Sequence, residues 1–236
     1  MTLFERIETV EKRIAEACRR SGRERQGINL IAVTKYVGIE QTKSVLQAGL
    51  LHLGENRWQD AQAKWQSMTG GQEDSVAGIE PIWHFIGSLQ TNKVKDVIGR
   101  FTYIHSLDRL SLAQAIERRA EQLGIVVPCF IQVNVSGEDS KHGLAPEELH
   151  QFAGELAGMP HIEPIGLMTM AALDGEAEQS RPVFRGLRQL RDDLNAQAVL
   201  RKPVTDLSMG MSGDFEVAVE EGATWLRLGT MLVGKS

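Results

Sequence analysis

Short, almost wholly apolar runs alternate along the chain with longer segments in which apolar residues recur every three or four positions. Runs of the first kind are typical of strands buried on both faces of a parallel sheet, and segments of the second kind predict amphipathic helices. The sequence predicts eight strands, each separated from the next by a helical segment. The predicted strands are 28–36, 50–56, 82–87, 101–106, 126–135, 162–170, 203–211 and 225–234.

A further helix is predicted before the first strand. Thr2 and Glu5 form the pattern of a capping box, and apolar residues follow at helical spacing as far as Gly22. Near the other end, Ser212 is expected to cap a short helix that ends at Gly222. Eight alternating strand and helix units favour an α/β fold, a closed (β/α)₈ TIM barrel with an extra N-terminal helix. We expect one domain over residues 1–236, with a surface loop at 69–81.

Composition and charge narrow the class of protein. A net charge of −5 without a basic stripe argues against nucleic-acid binding. The N-terminal segment mixes charged with apolar residues, so we expect no signal peptide and no membrane anchor, and a cytoplasmic location. Cys18 and Cys129 are predicted core residues, and the six histidines lack the spacing of metal ligands, so no metal site is predicted.

One lysine stands at the end of the first apolar run. Lys35 follows the segment INLIAVT, and α/β proteins assemble their active sites at the C-terminal ends of strands. Burial at such a place favours the neutral form of an amine, which can attack a carbonyl and form a Schiff base. The alternative is a lysine that extends from the strand end into solvent, and this run alone leaves both open.

The last two predicted strands end in residues suited to an anion. Residues 207–213 read LSMGMSG and residues 227–230 read RLGT. Turns rich in serine and glycine present backbone N–H groups to phosphate, which barrels of this type often bind beyond strands seven and eight. An ordinary turn with a helix cap would explain the first segment by itself. A primary amine that can react with an aldehyde, together with a site that can bind a phosphate, matches pyridoxal 5′-phosphate (PLP). Arg227 is then available near its pyridine ring.

Seven segments spread along the chain resemble those of the YggS-type pyridoxal phosphate homeostasis proteins. They are VTKY (33–36), GEN (54–56), WHFIGSLQTNK (83–93), VNVSGEDSKHG (133–143), GLMTM (166–170), LSMGMSGD (207–214) and RLGT (227–230). The barrel of that family is similar to the N-terminal domain of bacterial alanine racemase. The resemblance therefore implies the same barrel and PLP as the cofactor.

The resemblance also implies roles for nine residues. Lys35 would hold PLP as a Schiff base, an internal aldimine, and Arg227 would face the pyridine nitrogen. The remaining seven would contact the phosphate or line the pocket: Ser208, Gly229 and Thr230, with Met209 and Ser212, for the phosphate, and Asn56 and Met168 for the pocket.

The same residues argue against turnover. An arginine beside the pyridine nitrogen leaves the ring uncharged and a poorer electron sink. A racemase needs an acid/base group on each face of the α-carbon. In the racemases that this barrel resembles, an added domain supplies the second group, and we expect no such domain after Ser236. Tyr36 is expected to point away from Lys35. We predict a monomeric, non-catalytic PLP carrier that buffers the cofactor or passes it to PLP-dependent apoenzymes. An amino-acid racemase and a phosphate-binding barrel are the alternatives.

Two further polar positions carry alternative interpretations. His84 lies in an apolar strand and is predicted to be a hydrogen-bonded core histidine. Glu138, Lys141 and His142 lie on a predicted loop and are most simply a solvated charge cluster. A lysine at that rim would also be placed to guard the pocket or receive an aldehyde.

Overall fold

The computed structural model describes residues 1–69, 78–138, 141–171 and 175–234. Within these residues, eight parallel strands close into a barrel in sequence order, with the last strand paired to the first. The predicted barrel is confirmed, and each predicted strand overlaps an observed one. The strands are β1 Asn29–Val33, β2 His52–Glu55, β3 Ile82–Phe85, β4 Tyr103–Leu107, β5 Val127–Gln132, β6 Ile162–Met168, β7 Asp206–Ser208 and β8 Trp225–Leu228.

Helices connect the strands and cover the outside of the barrel. The first helix begins with the predicted capping box, in which the Thr2 hydroxyl accepts from the Glu5 N–H and the Glu5 carboxylate accepts from the Thr2 N–H. Within the described residues the helices are α1 Leu3–Ser21, α2 Ile39–Gln47, α3 Trp58–Met68, α4 Val94–Val97, α5 Leu110–Leu123, α6 Leu149–Ala157, α7 Arg181–Ala196, α8 Phe215–Glu220 and α9 Thr230–Val233. None of the helices in the described ranges is long and apolar enough to cross a lipid bilayer.

The predicted bounds of two elements near the C-terminal end of the chain are wrong. The strand predicted for 225–234 ends at Leu228, and Thr230–Val233 form α9, since a short apolar run does not distinguish a buried strand from a buried helix. The helix assigned to a Ser212 cap begins at Phe215, with Asp214 at its N-cap position. The Asp214 carboxylate accepts a hydrogen bond from the Met211 N–H at 2.6 Å and so shapes the preceding turn instead.

The main core lies between the sheet and the helices, and a smaller one fills the barrel interior. Ile31, Phe130, Met168 and Trp225 form this inner cluster. The predicted core positions of the two cysteines are confirmed (Cys18, 2% exposed; Cys129, 0%). The predicted loop 69–81 falls mostly on residues outside the described ranges.

Candidate functional site

A cavity of about 520 Å³ opens at the C-terminal end of the barrel. The turns after β1 and β8 meet there because these strands are hydrogen-bonded neighbours, with Ala32 opposite Leu228. The closed sheet thereby brings the first and last predicted site segments together. Six of the nine predicted residues line the cavity: Lys35, Asn56, Ser212, Arg227, Gly229 and Thr230.

Lys35 lies in the turn between β1 and α2 and is half-buried. Its Nζ atom lies 4.8 Å from the centre of the Tyr36 ring, and within the described part of the chain it forms no ion pair or hydrogen bond. The expectation that Tyr36 points away is wrong. β1 ends at Val33, so the alternation of a strand does not reach the turn, and the Tyr36 side chain lines the cavity mouth with 71% of its surface exposed.

A buried polar network supports this turn from behind. Lys64 Nζ donates to Glu55 Oε1 and to the Thr34 carbonyl, both at 2.7 Å, and the Thr34 hydroxyl donates to the same Glu55 oxygen at 2.6 Å. All three residues are buried. Burial raises the pKa of the Glu55 carboxyl, and the hydrogen bonds from Lys64 and Thr34 oppose that rise. The network fixes the peptide immediately before Lys35.

Sequence reasoning missed this network, although one signal was present. Lys64 stands between Ala61 and Met68 on the buried face of α3, where an apolar residue is expected. A lysine on such a face requires a buried partner. Its partner Glu55 belongs to the preceding strand.

The turns after β7 and β8 supply further polar groups to the wall of the cavity. Ser212 and Gly213 come from the first turn, and Gly229 and Thr230 from the second. Among the residues that the structure describes, the Ser212 and Thr230 hydroxyls have no hydrogen-bond partner. Unpaired hydroxyls on a cavity wall are available to a ligand.

Arg227 is the charged group at the floor of the cavity and is 5% exposed. Its guanidinium donates to Ser208 Oγ at 2.5 Å and to the Thr169 carbonyl at 3.0 Å. Burial lowers the pKa of Arg227 to about 10, and the Asp214 carboxylate opposes the shift. The guanidinium therefore stays protonated at neutral pH.

Three predicted site residues lie behind the cavity wall. Met168 packs in the barrel interior, and Met209 is fully buried, with its N–H donating to the Trp225 carbonyl. Ser208 is also fully buried, and its hydroxyl is shared between Arg227 and His105. These three side chains are therefore buried and do not line the cavity in the structure.

The other polar positions of the sequence analysis also lie off this cavity. His84 is fully buried with both ring nitrogens hydrogen-bonded, so the prediction of a satisfied core histidine is confirmed. Lys141 Nζ pairs with Glu138 Oε1 at 2.6 Å, as expected for a charge cluster. His142 lines a neighbouring cavity between the loops after β2 and β3.

The structure is a closed (β/α)₈ barrel with a lysine in the turn after β1 and glycine- and hydroxyl-containing turns after β7 and β8. Residues 8–236 match the sequence profile of the family described as "Alanine racemase, N-terminal domain". The chain belongs to this family and, within it, to the pyridoxal phosphate homeostasis proteins. The resemblance drawn from the seven sequence segments is confirmed.

Three similar proteins define the relationship. The chain is 42% identical over 235 residues to the pyridoxal phosphate homeostasis protein of Aquifex aeolicus (strain VF5), covering 100% of this chain and 99% of that one. It is 38% identical over 234 residues to the protein of the same name from Pseudomonas aeruginosa, covering 99% and 95%. The solved structure of PipY from Synechococcus elongatus PCC7942 with PLP bound has a TM-score of 0.83 and 33% identity, covering 99% of this chain and 100% of PipY.

Proposed function

We propose that this chain binds PLP in the cavity at the C-terminal end of the barrel and serves PLP homeostasis by holding the cofactor. One observation carries the proposal: the Lys35 amine, the free hydroxyls of Ser212 and Thr230 and the Arg227 guanidinium line the same cavity. The PLP bound to PipY, a relative that aligns along the whole chain, supports it.

The residues present fit each part of PLP. When bound, PLP supplies an aldehyde that forms a Schiff base with a primary amine, and Lys35 offers that amine. The turns at 212–213 and 229–230 offer hydroxyls and backbone to a phosphate. Among the described residues, two of the five N–H donors of Arg227 have protein partners, which leaves donors for a pyridine nitrogen. A cavity of about 520 Å³ is of the size that small ligands occupy.

Removing the two free hydroxyls is expected to weaken phosphate binding without disturbing the fold. Each hydroxyl would donate one hydrogen bond to a charged group, a contribution of about 1.5–3 kcal/mol, so Ser212→Ala and Thr230→Val should each raise the Kd for PLP by roughly ten- to a hundredfold. Ser88→Ala, on the neighbouring cavity, is the matched control and should leave the Kd unchanged. Fluorescence titration with PLP measures the effect, and equal Kd values in all variants would contradict the proposed phosphate site.

We further propose that the chain holds PLP without turning over amino acids. The Arg227 guanidinium does not release its proton at neutral pH, so it leaves the pyridine ring uncharged. Among the described residues of the wall, Tyr36 is the other group beside Lys35 that could exchange protons, and the two lie side by side rather than on opposite faces. A racemase needs groups on both faces.

Polarimetry distinguishes the carrier from the racemase. The PLP-loaded protein should leave the optical rotation of L-alanine and L-serine unchanged over many hours. A rapid loss of rotation that disappears in Tyr36→Phe would establish racemisation and contradict the carrier role.

Transfer to PLP-dependent apoenzymes completes the proposed role. The half-buried Lys35 and the exposed Tyr36 place the cavity mouth in contact with solvent, so bound PLP has an exit path. We propose that a monomer delivers PLP through this mouth. The transfer is tested by mixing the PLP-loaded protein with an apoenzyme while free PLP is scavenged, and restored enzyme activity is the expected result. Analytical ultracentrifugation tests whether the chain is a monomer.

A further inference from the structure

A line of hydrogen bonds crosses the barrel interior from β2 to the cavity. His52 Nδ1 lies 2.9 Å from His84 Nε2, and His84 Nδ1 lies 2.9 Å from His105 Nε2. His105 Nδ1 lies 2.9 Å from Ser208 Oγ, which accepts from Arg227. His52 begins β2 at the N-terminal end of the barrel, whereas Arg227 lines the cavity at the other end. We call these three histidines the histidine column.

The inner part of the histidine column is buried and packed against aromatic rings. His84, His105 and Ser208 are fully buried. The Tyr103 ring stacks on His84 at 4.6 Å between centroids, and the Phe130 ring stacks on His105 at 4.2 Å. Burial lowers the pKa of both histidines well below the ordinary value, so both rings are neutral at pH 7. A neutral imidazole has one donor and one acceptor, and the histidine column can therefore run in only two directions.

Arg227 decides the direction. A guanidinium only donates, so Ser208 Oγ accepts from it, and the Ser208 hydroxyl hydrogen must point to His105 Nδ1. His105 then carries its proton on Nε2 and donates to His84, which in turn donates from Nε2 to His52. In the reverse direction the buried Ser208 hydroxyl hydrogen would have no acceptor among the described residues, which is unfavourable.

This direction suits a buried cation. Every acceptor lone pair of the histidine column points toward Arg227, so the imidazole dipoles favour its positive charge and polarise one another. Within the described residues, the partners of the guanidinium are the Ser208 hydroxyl and the Thr169 carbonyl, both neutral. Burying a charge is unfavourable unless nearby groups compensate it. Asp214 acts on Arg227 without a direct hydrogen bond, so the dipoles of the histidine column supply part of that compensation.

We propose that His84 and His105, with His52 at the outer end, are positioning residues that hold Arg227 in one orientation through Ser208. The histidine column would thereby fix the group that faces the pyridine nitrogen of PLP. The link to PLP rests on the proposed function, whereas the direction of the hydrogen bonds does not. The family resemblance implies a phosphate contact for Ser208; in the structure its hydroxyl joins the histidine column to Arg227.

Nitrogen-15 NMR of the histidine side chains tests the direction without any cofactor. In the unmodified chain at pH 7, His52, His84 and His105 should all be neutral and protonated on Nε2, with peaks assigned by replacing one histidine at a time. A Nδ1-protonated or doubly protonated ring at His84 or His105 would overturn the proposal.

Three variants test the effect on the cavity. His84→Leu breaks the histidine column two hydrogen bonds away from Arg227 and should raise the Kd for PLP roughly tenfold and shift the absorption maximum of the bound cofactor. His84→Gln offers a donor and an acceptor and should restore most of the affinity. Tyr103→Phe keeps the stacked ring without a role in the histidine column and should behave as the unmodified chain.

The outcomes separate this proposal from the proposed function. Equal losses in His84→Leu and His84→Gln, with both variants folded by circular dichroism, would show a packing role and overturn positioning. Unchanged affinity in His84→Leu would overturn it as well. If the unmodified chain takes up no PLP, the proposed function fails, and the NMR measurement still decides the direction of the histidine column.

Discussion

Lys35→Ala is expected to abolish the violet absorption band of the PLP-loaded protein and its permanent labelling by borohydride. Both depend on a Schiff base, which alanine does not form. The fold should remain, because among the described residues Lys35 makes no hydrogen bond or ion pair. The absorption spectrum and the mass of the protein after borohydride reduction measure the loss, which should be complete.

Two matched variants separate the covalent role of Lys35 from its charge. Lys35→Arg keeps a cation in the cavity but should also lack the band, while retaining more affinity for PLP than Lys35→Ala. Lys141→Ala removes a lysine that lies off the cavity and pairs with Glu138, and it should retain the full band. A band that survives in Lys35→Ala would show that another amine holds the cofactor.

Lys64→Met is expected to destabilise the protein by about 3–5 kcal/mol, since removal of one partner of a buried ion pair leaves an uncompensated charge. The change leaves Glu55, which is fully buried, without its cation and frees the Thr34 carbonyl. Urea unfolding measures the free energy of unfolding. Lys12→Met is the control: its partner Glu8 is exposed, and no measurable change is expected.

The deficit of Lys64→Met should depend on pH in a defined direction. Burial raises the pKa of Glu55 in the folded state, and loss of Lys64 removes an interaction that opposes the rise. The folded variant therefore holds this proton more strongly than the unfolded chain, and stability falls as pH rises through the interval between the two pKa values. The deficit should be largest at pH 7 and shrink as the pH falls toward the ordinary pKa of a glutamate. A deficit that grows on acidification would contradict this account of Glu55.

The fold could be predicted from the sequence because its signals are local. Buried parallel strands and amphipathic helices leave distinct patterns in consecutive residues, and their alternation defines the barrel. The residues at which strands and helices begin and end are harder to predict from the sequence. The apolar residues of 230–233 suit a strand or a helix equally, and Asp214 rather than Ser212 stands at the N-cap of α8, because that choice depends on the turn itself.

The site was predictable where residue type and strand position suffice. Lys35 and Arg227 follow from their places at the ends of β1 and β8. Which way a side chain faces depends on where each strand ends. β1 ends at Val33, so the alternation of a strand does not place Tyr36, and Ser208 is buried off the cavity wall. The partners of Lys64 lie on β2 and in the turn after β1, and the histidine column joins β2, β3 and β4. No local pattern in the sequence connects residues so placed.

Peptide mapping after borohydride reduction tests the central claim, that the Lys35 amine holds the cofactor, most directly. Trypsin does not cleave after a modified lysine, so the label should appear on one peptide, residues 26–43, with the bond after Lys35 intact. We predict that this peptide carries the mass of one phosphopyridoxyl group in stoichiometric amount. A label found solely on Lys141 or elsewhere would contradict it.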